Sequence, residues 1–76
     1  MTAEMTLDVK GLLCPLPVLR AQKALNGLQP GARLLVQATD PSAVKDFDAF
    51  CEASGHLLLE SSEAGGIYSF RIEKRA

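Results

Sequence analysis

The 76-residue chain predicts an α/β (α+β) two-layer sandwich of order βαβαββ, a mixed four-stranded sheet with two helices on one face. Three observations predict it. Apolar and polar residues alternate near both ends of the chain, as in strands with one buried face. Two inner segments carry helix start and stop signals. Between them lies a nearly continuous apolar run of strand length, expected of an interior strand. Surface scaling for a chain of this mass leaves about 4,500 Å² exposed out of about 11,700 Å², so about 60% is buried. That predicts one compact domain over residues 1–76, with a small core and no large ligand cavity.

The elements follow in order. Met5, Leu7 and Val9 alternate with Thr6 and Asp8 and predict a first strand with one buried face. Gly11 interrupts it, and from Cys14 the string PLPVLRAQKALNGLQPG places proline early and glycine late. That asymmetry predicts a helix with Pro15 in its first turn and Gly27 near its end. At 100° per residue, Ala21, Ala24, Leu25 and Leu28 fall within about 120° of Val18 and form the core stripe. Pro30 and Gly31 make a turn, and Leu34, Leu35, Val36 and Ala38 form the interior strand. Asp40 then reads as an N-cap, with Pro41 opening a second helix that runs to about Ser54 and stops at Gly55. Its inner face is Val44, Phe47, Phe50 and Cys51; Lys45, Asp48 and Glu52 face outward. A third strand spans His56 to Ser61, Gly65 and Gly66 turn the chain, and Tyr68, Phe70 and Ile72 alternate with Ser69, Arg71 and Glu73 in a fourth. Right-handed crossovers place both helices on one side, leaving the other sheet face open or available for contact.

Composition narrows function. An apolar fraction of 47% with 22% charged residues argues against disorder. Eight basic against nine acidic residues give a net charge of −1, which supplies no general field for a polyanion. RNA binding would rest on fold analogy alone, without an aromatic ladder on a basic sheet, and Tyr68 and Phe70 read as core. The start MTAEMTLDVK reads as neither a signal peptide nor a membrane span. The expected compartment is cytoplasmic, where both cysteines stay reduced.

Cys14 lies between the first strand and the first helix, directly before proline. A helix N-terminus favours thiolate through unsatisfied amides and the macrodipole, which predicts a lowered thiol pKa. Pro15 and Pro17 stiffen that turn, and they also remove two amide donors, which limits the depression. Two readings of position stand side by side: a reactive thiol, or a small apolar residue at a helix cap. Cys51 falls on the inner face of the second helix and reads as packing. With 36 residues between them the two cysteines do not form a CxxC redox pair, and with His56 they lack metal-ligand spacing, so no metal is expected. Gly11 reads as a loop residue needing positive φ, and Asp8 as its brace.

The string around Cys14 resembles the TusA family of small sulfur carriers, also called SirA-like. Its pattern is met by Asp8, Gly11, Leu12, Cys14, Pro15 and Pro17, and the likeness continues through QPG at 29–31, DP at 40–41 and FC at 50–51. The resemblance implies a sulfurtransferase-type carrier that accepts sulfane sulfur as a persulfide on Cys14. It implies a cysteine desulfurase or rhodanese-like donor and a downstream acceptor protein. The implied destinations are tRNA thiolation, molybdenum-cofactor enzymes or sulfur oxidation. It also places Asp40 near the cysteine loop, where it could meet a partner. Leucine stands at both variable motif positions, Leu13 and Leu16, where members serving tRNA thiolation can carry charged residues.

Leu16 and Leu19 lie off the core stripe beside Arg20 and Lys23, and two readings stand: these four form a contact surface for an acidic-rimmed partner, or their exposure is incidental. The free chain is expected to be a monomer that binds neither nucleic acid nor membrane. The reading from a different class is a non-catalytic regulatory or interaction module, or an RNA-binding domain, with Cys14 only a helix cap.

Overall fold

The computed structural model describes residues 4–75. Its elements are β1 (Glu4–Asp8), α1 (Leu16–Asn26), β2 (Arg33–Ala38), α2 (Ala43–Ser54), β3 (Leu57–Ala64) and β4 (Ile67–Glu73). The strand order is β1-β2-β4-β3. β1 pairs in parallel with β2, and β4 pairs antiparallel with both of its neighbours. β3 therefore runs parallel to β2, with β4 inserted between them. Both strand-helix-strand connections advance across the sheet in one direction, so their common handedness puts both helices on one face.

That face holds the core. Leu34, Val36 and Ala38 of β2 and Phe70 and Ile72 of β4 are buried beneath Ala21 and Leu25 of α1 and Ala43, Phe47 and Cys51 of α2. The apolar run of β2 is interior because the strand is hydrogen-bonded on both edges. Val18, Ala24 and Leu28 border the core as partly buried neighbours, so the predicted α1 stripe is the packed one. The centre is aromatic: the rings of Phe47 and Phe70 stack with centroids 4.6 Å apart, and Phe50 meets Phe47 edge-on at 6.5 Å. Such pairs add about 0.5–1.5 kcal/mol beyond the area they bury.

Three sequence expectations change. Met5 shares the core-facing side of β1, yet it is 44% exposed because β1 is an edge strand that begins beyond the cover of α1. The third strand is longer than His56 to Ser61. It runs on to Ala64, held by pairing with β4 down to the Ala64–Ile67 rung, and a bulge between Leu58 and Glu60 resets its register. The second helix begins at Ala43 with Ser42 as N-cap, so Asp40 is not the cap. Its carboxylate accepts the Ser42 N–H at 3.0 Å, closing a turn two residues earlier. Gly55 ends that helix as expected, at φ 85°.

On the open sheet face Arg71 donates to Glu4 at 2.8 Å and to Glu60 at 2.9 Å, linking β4 to both edge strands. These pairs are exposed and each contributes little to stability. The aromatic stack dominates instead. Phe47→Ala should destabilise the domain by about 3–5 kcal/mol, read as a lower urea midpoint, because so small a core cannot collapse around the void.

Candidate functional site

The two crossovers leave the sheet at the same end, since β1 and β2 are parallel. Their exit loops are consequently neighbours, and a short ladder of polar contacts joins them. Asp8 Oδ1 accepts the Lys10 N–H at 2.9 Å, turning the chain at the end of β1, as its expected bracing role requires. That bond holds the Asp8 carboxyl below its ordinary range. Gly11 takes φ 84°, the positive value expected of it, and its N–H donates to Thr39 Oγ1 at 2.9 Å. The Cys14 N–H donates to Asp40 Oδ2 at 2.7 Å. One carboxylate thus holds the Cys14 backbone with one oxygen and the start of α2 with the other. These two amides, Cys14 first, keep the Asp40 carboxyl below the usual aspartate range.

Pro15, not Cys14, occupies the N-cap position of α1, and the Cys14–Pro15 peptide bond is cis. Pro17 is buried, so this proline packs as well as stiffens. Cys14 is exposed and Cys51 is buried; both are free thiols. Two shallow grooves meet at Cys14 and Asp46. One continues over Pro15, Val18, Ala49 and Phe50, the other over Pro41, Ser42, Val44 and Lys45. Leu16 is 43% and Leu19 51% exposed, and Arg20 and Lys23 lie exposed on the same outer face of α1. Pro15 and Asp40 adjoin Cys14 directly, Asp8 and Gly11 shape the loop leading to it, and the outer face of α1 forms a separate surface.

Residues 5–74 match the family model described as sulfurtransferase TusA. The chain belongs to the TusA family. It is 56% identical over 68 residues to a sulfur carrier protein TusA of Allochromatium vinosum, covering 90% of each chain. It is 44% identical over 70 residues to a sulfur carrier protein TusA of Pseudomonas paraeruginosa, covering 92% of this chain and 89% of the relative. The crystal structure of a SirA-like protein from Desulfitobacterium hafniense superposes with a TM-score of 0.83 at 27% identity, over 95% of this chain and 99% of that one. The βαβαββ sandwich is therefore shared with that SirA-like protein.

In this TusA-family chain the protonation of Cys14 departs from the helix-terminus expectation. Its thiol pKa is raised, first by a hydrogen bond to the Asp46 side chain, then by burial and by the charges of Asp46 and Asp40. Deprotonation would set an anion beside two carboxylates, while the prolines at 15 and 17 leave few free amides to offset it. Cys51 is pushed up to about 11, chiefly by burial and then by Asp48. The pattern of α2 shows Asp46 only as an acid in a helical first turn, where it suits the dipole. The parallel placement of the two crossovers is what brings it to Cys14. Because a raised pKa lowers the thiolate fraction at neutral pH, Asp46→Asn should speed iodoacetamide alkylation of Cys14. The midpoint of the alkylation profile should move to lower pH, while Cys51→Ala leaves that midpoint in place.

Proposed function

We propose that this chain accepts sulfane sulfur as a persulfide on Cys14 and passes it to an acceptor protein. The observation that carries the reading is an exposed thiol whose backbone is pinned by Asp40, in a chain whose relatives are named sulfur carriers. The Cys14 thiolate attacks the terminal sulfur of a donor persulfide. A new S–S bond forms on Cys14, the donor's S–S bond breaks, and its electron pair leaves with the donor cysteine as thiolate. The proton given up by Cys14 balances the one taken by the leaving thiolate, so the exchange has no net redox change. Delivery to the acceptor repeats the same step with Cys14 as the leaving sulfur.

Asp8, Gly11, Pro15, Pro17 and Asp40 support the loop that presents the thiol. No cofactor is required. The raised thiol pKa suits a carrier that should not react with every disulfide it meets, since thiolate character governs such exchange. In this reading the donor is a cysteine desulfurase or a rhodanese-like protein. The acceptor serves tRNA 2-thiouridine formation, molybdenum-cofactor enzymes or sulfur oxidation. The working compartment is the cytoplasm, and residues 1–76 act as one monomeric domain. No helix among the described residues is long and apolar enough to cross a membrane.

Leu16, Leu19, Arg20 and Lys23 form the contact surface in this proposal: two exposed leucines and two cations on the outer face of the helix that follows the thiol. Reversing the charges of Arg20 and Lys23 should slow sulfur transfer at low salt and flatten its salt dependence. Transfer rates unchanged across salt concentrations would remove this surface from the mechanism. For the carrier role itself, incubation with a desulfurase and cysteine should add about one sulfur atom to the intact mass. That gain should be reversed by reductant and absent from Cys14→Ser. Labelling at Cys51 instead would overturn the assignment.

A further inference from the structure

α1 and α2 run side by side in the same direction, because β1, β2 and β3 are all parallel. Between the helices a trough leads away from Cys14. Val18, Gln22 and Asn26 border it at four-residue intervals on α1, and Asp46, Phe50 and Ala53 border it on α2. Its two ends differ in charge. The Cys14 end carries Asp46, with Asp40 close by. The far end is lined by His56, Lys74 and Arg75 with the amides of Gln22 and Asn26, and by no carboxylate among the described residues. Phe50 borders both halves, with its ring 5.7 Å from that of His56.

The basic end is built rather than loose. The Lys74 ammonium donates to the Leu28 carbonyl at 2.7 Å, beyond the C-terminus of α1. His56 Nδ1 accepts the Arg75 N–H at 3.1 Å, tying the strand end to the loop after α2. His56 is held below the ordinary imidazole range, first by burial and then by the charges of Arg75 and Lys74, so the positive charge of this end is carried by Lys74 and Arg75. From Leu16 to Asn26, α1 is about 15 Å long at 1.5 Å per residue, a span that about five extended residues cover.

We propose that this trough binds an extended, acidic segment of a sulfur-exchange partner: its cysteine meets Cys14, an apolar residue lies over Val18 and Phe50, and a carboxylate about five residues away sits at His56, Lys74 and Arg75. The proposal rests on Cys14 being the exchange thiol. It adds a recognition element distinct from the outer face of α1, since Gln22 and Asn26 stand on the α2 side of the helix. Charge complementarity selects the occupant. A segment with an anion at the far end is attracted there, and one with its anion beside the cysteine is repelled by Asp46 and Asp40.

The test uses the full chain and a capped six-residue peptide. The peptide has a cysteine at one end, activated as a mixed disulfide with thionitrobenzoate, and an aspartate at the other. Cys14 thiolate attacks the peptide sulfur, the peptide–Cys14 disulfide forms, and thionitrobenzoate leaves as a coloured thiolate. At low salt the aspartate peptide should half-saturate at a concentration roughly fivefold below that of its asparagine counterpart, and added salt should erase the difference. A peptide with aspartate next to cysteine should be the poorest substrate. Arg75→Glu should abolish the preference. Gln22→Glu, an exposed helical change that spares the Arg75 contacts, should do the same. Equal half-saturation by the aspartate and asparagine peptides would overturn the trough, as would a preference that survives both substitutions. The persulfide mass shift is read separately, so a chain that takes sulfur on Cys14 without peptide preference refutes the trough alone. One that takes no sulfur refutes the carrier reading.

Discussion

The two oxygens of the Asp40 carboxylate bind two amides on different crossovers, one at Cys14 and one at Ser42, at 2.7 and 3.0 Å. Much of the site depends on that bridge. Without it, the loop after β1 would still be tied to β2 and the residue after it, through Val9 and Lys10 to Gln37 and Gly11 to Thr39, but Cys14 would lose its hydrogen bond to the turn that opens α2. With it, the thiol stands beside the first turn of α2, where Cys14 and Asp46 line the same two grooves. An ionised carboxylate makes such amide bonds stronger than neutral acceptors do. Aspartate is ionised in the neutral range in any case, and the depressed pKa of Asp40 extends that form to lower pH.

The same bridge sets up an electrostatic compromise. In the proposed role Cys14 must be exposed to meet another protein's sulfur, yet exposure of a thiolate invites oxidation and unwanted disulfides. The carboxylates around it shift the balance toward thiol without enclosing it. A docking partner that brings positive charge near Asp46 and Asp40 would reverse the shift at the moment of exchange. In that arrangement recognition and activation share the same charges, so the small body needs no cavity to control its chemistry. The core can then serve packing alone: Phe47, Phe70 and Leu25 fill it, and Cys51 is spent there as an apolar group.

Most of the fold was legible because its signals are local. Alternation marked the β4 residues, the apolar run marked β2, and glycine at 55 marked the end of α2 at the position observed. The departures came where local signals compete with pairing. Asp40-Pro41 has the grammar of a helix start, but the Asp40 oxygens go to the turn at Ser42 and to Cys14, so the helix begins later. The polar stretch from Ser62 to Ala64 has little strand pattern of its own and is extended because β4 pairs with it. Met5 alternates correctly and still sees solvent, since alternation reports which face a residue occupies and not whether anything covers it.

By itself the sequence determined the order and type of the elements, the packed role of Cys51, the positive φ of Gly11 and the prominence of Cys14. Each of these follows from a residue and its near neighbours: a period, a proline, a missing Cβ. Only the tertiary structure decided the charge state favoured at Cys14, because Asp46 and Asp40 reach it from a different crossover. The trough between α1 and α2 is likewise tertiary, since it depends on two helices being laid parallel over one sheet. Local chemistry chose the thiol, and parallel strand pairing chose its surroundings.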